Sequence, residues 1–356
     1  MLSSLMSVTV DGVSARTTPV DTSRSLSEVI FDVVSDALAD AGCTMGDIDG
    51  IVIAGHDLID GRGLSSMITG PAAGAYLRDE IRVSDDALVA VSIGAARVQA
   101  GEASKVVVAS WGRASEGDPE RASRVSFDPF TEQPLGISDG IVSSLRASAY
   151  LQRYSATSRL AAIAARQRRA RTGTLLDQVR APDPVYPLRS AELAVTADVA
   201  AAIVLGSAGG PRITGTGHGT EASRLGDRDL ATPVGAQAAA RAAFEQAGRN
   251  PWEVRVAELA GPTLFEEIML LEAAGLAEAG EGLDAYAAND WINPSGGSAS
   301  GDCYPCSGLL RLVHAVHQLR GDAGPRQLAP RPTVALVAAG SAVASQTTTA
   351  LIIEAE

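Results

Sequence analysis

Residues 293–308 read NPSGGSASGDCYPCSG and run directly into an apolar helical stretch, LLRLVHAVHQLRG (309–321). Two of the chain's three cysteines, Cys303 and Cys306, fall here. A C-x-x-C pair can be half of a zinc site, a redox dithiol, or an incidental pair on a loop with another purpose. A four-ligand zinc site needs a second pair, and the chain has none. A redox dithiol belongs at the strand-to-helix junction of a thioredoxin-like unit. A helix does follow here, so that reading rests on the junction alone. The meaning of the loop is therefore set by what surrounds it.

The helix after the loop stops at GDAG and leads into the apolar strand PTVALVAAGS (332–341). The same order of helix, Ala-Gly stop and buried strand occurs at IGAARVQAGEASKVVVASWG (93–112). A second correspondence joins SLSEVIFDVVSDALADAG (25–42) and GIVIAG (50–55) to VGAQAAARAAFEQAG (234–248) and RVAELAG (255–261). Ser25 or Ser27 caps the first of these helices. Strand AAAIVLGS (200–207) closes one half and TGTGHG (214–219) opens the next. The expected organisation is two similar α/β halves, 1–208 and 209–356. The first carries an insertion over about 113–190, rich in Pro, Gly, Arg and Ser, with helices near 140–172. Insertions of that length commonly carry binding or lid functions.

Composition excludes several classes. Apolar residues make up 46% and charged residues 20% of 356, the balance of a soluble α/β protein rather than a disordered one. A net charge of −13 and 4% aromatic content argue against a nucleic-acid partner. RLAAIAARQRRART (159–172) is a basic amphipathic stretch, read as a solvated helix face with a phosphate-meeting site as the alternative. No apolar run reaches the roughly 18–20 residues that span a bilayer. The start, MLSSLMSVTVDG, lacks the pattern of a secretory signal. Together with three cysteines, one of them (Cys43) in a helix-to-strand turn, this sets the expectation of a reducing, cytoplasmic setting.

Taken in order, four stretches resemble the thiolase superfamily, closest to the sterol-carrier-protein-type thiolases and acetyl-CoA acetyltransferase-like proteins. NPSGGSASG (293–301) with LRLVHAVHQLRGDAG (310–324) resembles the signature loop and its helix. ELAGPTLFEEIMLLEAAGL (258–276) resembles the segment carrying a catalytic His or Asn. VTADVAAAIVL (195–205) resembles the strand closing the first half, and VQAGEASKVVVASWG (98–112) the strand after the nucleophile helix. The resemblance implies a duplicated, five-layered αβαβα fold with an inserted loop domain. It also implies a homodimer and an acyl-CoA or acyl-thioester as the substrate. A further partner is implied: a small OB-fold/zinc-ribbon protein or an active thiolase paralogue. No cofactor is expected beyond a CoA thioester as substrate, and no metal.

The family's chemistry uses a Cys thiolate at a helix N-terminus, a His in a Gly-His-Pro turn, a second Cys near the C-terminus, and a polar oxyanion group. By the resemblance the nucleophile position falls on Ser84; Ser92 is spaced too closely to Ala100-Gly101. Asp302 stands where the His is expected. The oxyanion position falls at Ala260 or its neighbours, and the second Cys near Val337. All four depart from the pattern. Ser84 reads as a helix N-cap ahead of Asp85 and Asp86, with a nucleophile as the alternative.

The expected catalytic candidates are Tyr304, Asp302, His56 and Ser84, with Tyr304 beside Asp302 as an acid/base pair. The expected substrate-binding residues are Asn293, Ser295, Gly296, Gly297 and Cys303. His314 and His317, three apart on the last helix, are read as one packed and one exposed rather than as ligands. His218 is read as sitting in a Gly-rich turn. Two functions remain open. One is a thiolase-like component of an acyl-thioester acyltransferase or C–C bond-forming or cleaving complex, without its own thiolate chemistry. The other is a stand-alone retro-aldolase on β-hydroxyacyl-CoA.

Overall fold

A computed structural model of the chain describes residues 7–19, 23–156, 183–207, 209–341 and 343–356. The basic stretch 159–172 lies outside them. The first half of the described chain alternates β1 (Val8–Thr18), α1 (Leu26–Asp40), β2 (Gly50–Ala54), α2 (Ser66–Ala72), β3 (Asp79–Val83), α3 (Ala87–Gln99) and β4 (Val106–Arg113). The insertion then supplies α4 (Pro119–Ser126) and α5 (Asp139–Tyr154) before β5 (Asp198–Gly206). The second half runs β6 (Arg212–Thr220), α6 (Val234–Ala247), β7 (Val256–Ala260), α7 (Leu264–Ala273), α8 (Gly282–Ala288), α9 (Ser307–Arg320), β8 (Val334–Ser341) and β9 (Thr347–Glu354).

Among the described residues the strands follow the order β3-β2-β4-β5-β1-β6-β9-β8-β7. Leaving aside the edge strand β3, this is one pattern written twice. β2-β4-β5-β1 is mirrored by β7-β8-β9-β6, and the two sets meet only where Val8 and Thr9 pair with Ile213 and Arg212. Within each set two strands run parallel and the next pairs antiparallel.

Burial sorts the elements into layers. Strand side chains alternate between faces, so Ile51 and Ile53 of β2 pack with Leu26, Ile30 and Val33 of α1 on an outer face. Val52 and Ala54 pack on the inner face. There they share one apolar cluster with Leu88 and Val91 of α3, Leu309 and Leu312 of α9, and Val337 and Leu351 of the other strand set. The remaining face, with Leu336, Ala338 and Ile352, is covered by Ala239 and Ala243 of α6 and Phe265 and Ile268 of α7. The order α1, strands, α3 with α9, strands, α6 with α7 is the expected αβαβα stack.

Local details repeat as well. β1 bulges between Val10 and Gly12, and β6 bulges between Ile213 and Gly215. After each bulge a glycine touches the covering helix. A Cβ on Gly12 would lie 2.2 Å from the Ala37 carbonyl of α1, and one on Gly215 would lie 2.0 Å from the Ala243 carbonyl of α6. In both halves the bulge re-aims the strand so that a residue without a side chain faces helix backbone. α1 begins with Ser25, whose hydroxyl accepts from Glu28 N while Glu28 bonds back to Ser25 N, a capping box.

Candidate active site

The glycine-rich loop 293–301 is fastened to β7 and α7 rather than left open. Asn293 adopts a left-handed φ of 46°. Its Oδ1 accepts from Leu259 N (2.6 Å) and its Nδ2 donates to Leu259 O (3.2 Å), continuing the sheet edge with a side chain. Ser295 donates its N–H (3.0 Å) and hydroxyl (2.6 Å) to Glu258, which is fully buried. Arg311 of α9 donates to Ser295 Oγ at 2.7 Å and to Gly301 O at 3.2 Å. Burial works against the Glu258 charge, yet His314 and Arg311 outweigh it and hold this carboxyl below the usual range. His314 Nδ1 lies 2.8 Å from Glu258 Oε1, close enough for attraction but not aligned for a hydrogen bond.

Ser298 donates N–H (2.8 Å) and hydroxyl (2.6 Å) to Glu267 of α7. Gly297 has φ of 60°, and a Cβ there would lie 2.5 Å from Asn293 Nδ2 and 2.7 Å from Glu267 Oε1. Asn293, Ser295, Gly296 and Gly297 therefore form a brace, and none of them lines the cavity described next.

That cavity, of about 800 Å³, opens where β2, β4, β7 and β8 end. His56 follows β2, Ala114 follows β4, Gly261 to Thr263 follow β7, and Gly340 closes β8. Sites gather outside the carboxyl ends of parallel strands because loops diverge there. Five of the expected residues meet on this wall: His56, Ser84, Asp302, Cys303 and Tyr304. The remaining wall comes from α4, the start of α5, residues 183–196, and Ala344 with Ser345.

Asp302 is held by its backbone, donating to Val195 O (2.8 Å) and accepting from Ala197 N (3.1 Å). Burial raises its carboxyl, with Arg311 pulling the other way, and its Oδ1 has no partner among the described residues. The half-buried Tyr304 places its hydroxyl 3.5 Å from both Ser84 O and Asp85 Oδ1, and its ring centroid 6.1 Å from that of His56. Burial lowers His56, against the pull of Asp57 and Asp85, so the imidazole is neutral near pH 7.

Cys303 and Cys306 are both buried, and burial pushes each thiol well up, Cys303 further so through Asp302 and Cys306 through Asp86. Neither is a thiolate at neutral pH. Cys306 Sγ lies 3.5 Å from Ser110 O. Cys303 seats against Gly112, where a Cβ would come within 2.5 Å of Sγ.

A family model described as "Thiolase C-terminal domain-like" matches residues 217–354. Residues 217–354 therefore carry a thiolase-type C-terminal domain. Human sterol carrier protein 2 is 37% identical over 106 residues, 28% of this chain and 19% of that protein. An acetyl-CoA acetyltransferase of Methanothermobacter thermautotrophicus is 30% identical over 159 residues, 40% of this chain and 42% of that one. The matches thus span less than half the length of these curated relatives. A structure titled "Ltp2-ChsH2(DUF35) aldolase" superposes with a TM-score of 0.79 at 22% identity, covering 99% of both chains. Human mitochondrial 3-ketoacyl-CoA thiolase gives 0.70 at 13% identity over 99% of this chain and 100% of that one. At these identities the superpositions speak for the fold.

The N-terminus of α3, expected to present a nucleophile, is closed by a carboxylate. Asp86, not Ser84, is the N-cap. It is fully buried, accepts from Leu88 N (2.9 Å), and reaches across to Gly308 N on α9 (3.0 Å), tying the two central helices together. Ser84 stands two residues earlier, exposed on the cavity wall. The hydroxyl lost the cap to a shorter path from a stronger acceptor.

Val337 is interior to β8 and buried in the sheet, so no cavity residue stands at that position. Gly340, Ala344 and Ser345 approach the site from that side instead. His218 lies within β6, with Nδ1 3.0 Å from Thr349 Oγ1 of β9, not in a turn. Its alternating glycines serve helix packing. His317 meets Asp322 at 2.9 Å.

The sequence reading missed Asp139, Ser138 and Ser143, whose only signal was their place in the long insertion. It also missed two braces that carry a pH dependence. Burial pushes Glu267 up to about 7 and Asp86 to about 7. The folded Glu267 keeps its proton to about pH 7, while the unfolded group releases it near the ordinary glutamate value of 4.5. Between those values the folded state binds more protons, so this contribution is full below 4.5 and is lost as pH rises towards 7. Glu267→Gln is expected to flatten that part of the profile. Urea midpoints at pH 5 and pH 8 should lie closer together in the variant than in the parent, and an unchanged gap would refute the assignment.

Proposed function

We propose that this chain is the thiolase-fold component of a complex that cleaves or forms a carbon–carbon bond in an acyl thioester, by retro-aldol chemistry rather than through an acyl-enzyme. The observation that carries this is the wall holding His56, Asp302 and Tyr304 together while both nearby thiols are buried and protonated. Retro-aldol cleavage needs a base for the β-hydroxyl proton, a place for charge on the thioester oxygen, and an acid for the α-carbon. The neutral His56 or the raised carboxyl of Asp302 takes the hydroxyl proton. The Cα–Cβ bond breaks, and its electron pair passes into the thioester as an enolate, leaving a ketone or aldehyde. Tyr304 then gives a proton to the α-carbon, yielding the shortened acyl thioester. α9 begins at Ser307 on the cavity wall, so the positive end of its dipole favours the enolate oxygen.

Two further observations support a complex. One structural neighbour is named as an aldolase of Ltp2 with ChsH2 and a DUF35 module. Among the described lining residues Asp118, Glu120, Asp139, Asp183 and Asp302 are acidic, and none is Lys or Arg. A wall of that sign receives the acyl part of a CoA ester, and the phosphates find their cations elsewhere, in this reading on a partner. The test is to incubate the chain with β-hydroxyacyl-CoA, alone and with a co-expressed DUF35-type partner. A carbonyl compound and a shortened acyl-CoA are expected, with no acyl adduct on the intact protein by mass spectrometry. An adduct on Ser84 would favour the acyl-enzyme route. Turnover only beside an active thiolase would leave this chain a non-catalytic subunit.

A further inference from the structure

The wall contributed by the insertion holds hydroxyls that the fold does not use. Ser138 precedes α5 in the N-cap position, where serine ordinarily accepts from the first-turn N–H groups, yet its side chain makes no cap hydrogen bond. The N–H of Asp139 is instead taken by Ser123 of α4 at 2.7 Å. Ser138 and Ser143 are each only 3% exposed, and both line the cavity. Among the described residues neither hydroxyl has a hydrogen-bond partner. By contrast Ser126 and Ser144 return their hydroxyls to helix carbonyls, at 2.7 and 2.8 Å. Neither oxygen is sealed from the cavity, so both hydroxyls are open to it, and two on one wall point to a ligand atom that bonds them together.

The surroundings decide what kind of atom. Asp139 lies between them in sequence and on the same wall, with Oδ1 accepting from Ala344 N at 2.7 Å. Asp118 and Glu120 add further negative charge. A carboxylate or phosphate would be repelled there, whereas a neutral hydroxyl or carbonyl can donate to or accept from a serine. We propose that Ser138 and Ser143 form a polar subsite recognising a neutral oxygen substituent on the acyl group, separate from the reacting carbons. This rests on the acyl-thioester reading above and narrows its substrate class from alkyl chains to oxygen-bearing acyl groups.

The experiment compares two series of N-acetylcysteamine thioesters by calorimetry, with acyl chains of four to twelve carbons ending in either a hydroxyl or an isosteric methyl. At one length the hydroxyl ligand is expected to bind about fivefold to tenfold more tightly than its methyl isostere, the range of one or two net hydrogen bonds. In Ser138→Ala/Ser143→Ala that ratio should fall to about one. Methyl ligands binding as well at every length, or a ratio that survives in the variant, would overturn the subsite alone. If neither series binds at millimolar concentration, the acyl-thioester reading fails and takes the subsite with it.

Discussion

Replacing Tyr304 by phenylalanine is expected to lower turnover of a β-hydroxyacyl-CoA by about 100-fold or more while leaving the fold intact. The size follows from what a positioned acid or base contributes, typically 10²–10⁴-fold. The intact fold follows from geometry: the hydroxyl's contacts to Ser84 O and Asp85 Oδ1 are long, at 3.5 Å. The ring, which packs beside the central cluster, is retained in phenylalanine. Stability should therefore change by less than about 1 kcal/mol. Cys303→Ala is the informative companion. Its thiol lines the same cavity but stays protonated, so activity should stay within about threefold of the parent. The readouts are kcat with the long thioester, the denaturation midpoint, and the ratio of carbonyl product to shortened acyl-CoA. A tyrosine variant with full activity, or a cysteine variant without any, would remove the retro-aldol assignment and return attention to thiol chemistry.

The layers were readable from sequence because apolar alternation and Ala-Gly stops report burial directly, and the two halves repeat them. The cavity cluster was partly readable. Asp302, Cys303 and Tyr304 are contiguous and follow a loop with a recognisable pattern, so they stay together however the chain folds. His56 was found because it leaves a strand end. The brace residues, expected to bind substrate, lie off the cavity wall for a physical reason. A glycine-rich loop can either wrap a ligand or wrap its own scaffold, and only the partners distinguish the two. Glu258 and Glu267 are those partners, and they sit on β7 and α7, 37 and 31 positions from the serines they hold. The polar wall of α5 was legible only as part of an insertion, since a serine's role depends on whether its hydroxyl finds backbone. Asp86 shows the same limit at shorter range, taking a cap that its neighbours Ser84 and Asp85 could also have supplied.

The other large effect is structural and tests the duplication itself. Gly217→Ala in β6 is expected to destabilise the chain by about 3 kcal/mol or more, or to drive it into the insoluble fraction. The added Cβ would lie 1.9 Å from the Ala239 carbonyl oxygen and 2.8 Å from Ala243 N, both backbone atoms of α6. No rotamer change relieves a clash with backbone, so the helix would have to retreat by more than about 1 Å to reach an ordinary C···O separation near 3.3 Å. α6 meets the sheet through Ala236, Ala239, Ala240 and Ala243, side chains too short to bridge the gap that such a retreat opens. Gly226→Ala is the control, because a Cβ there meets nothing within 4 Å. Gly12→Ala should behave like Gly217→Ala, since its Cβ would fall 2.2 Å from Ala37 O in the other half. Guanidinium midpoints of the three variants decide the matter. Loss at positions 12 and 217 with none at 226 means both halves depend on the same close strand–helix contact. Tolerance at 12 alone would mean that α1, unlike α6, has room to move.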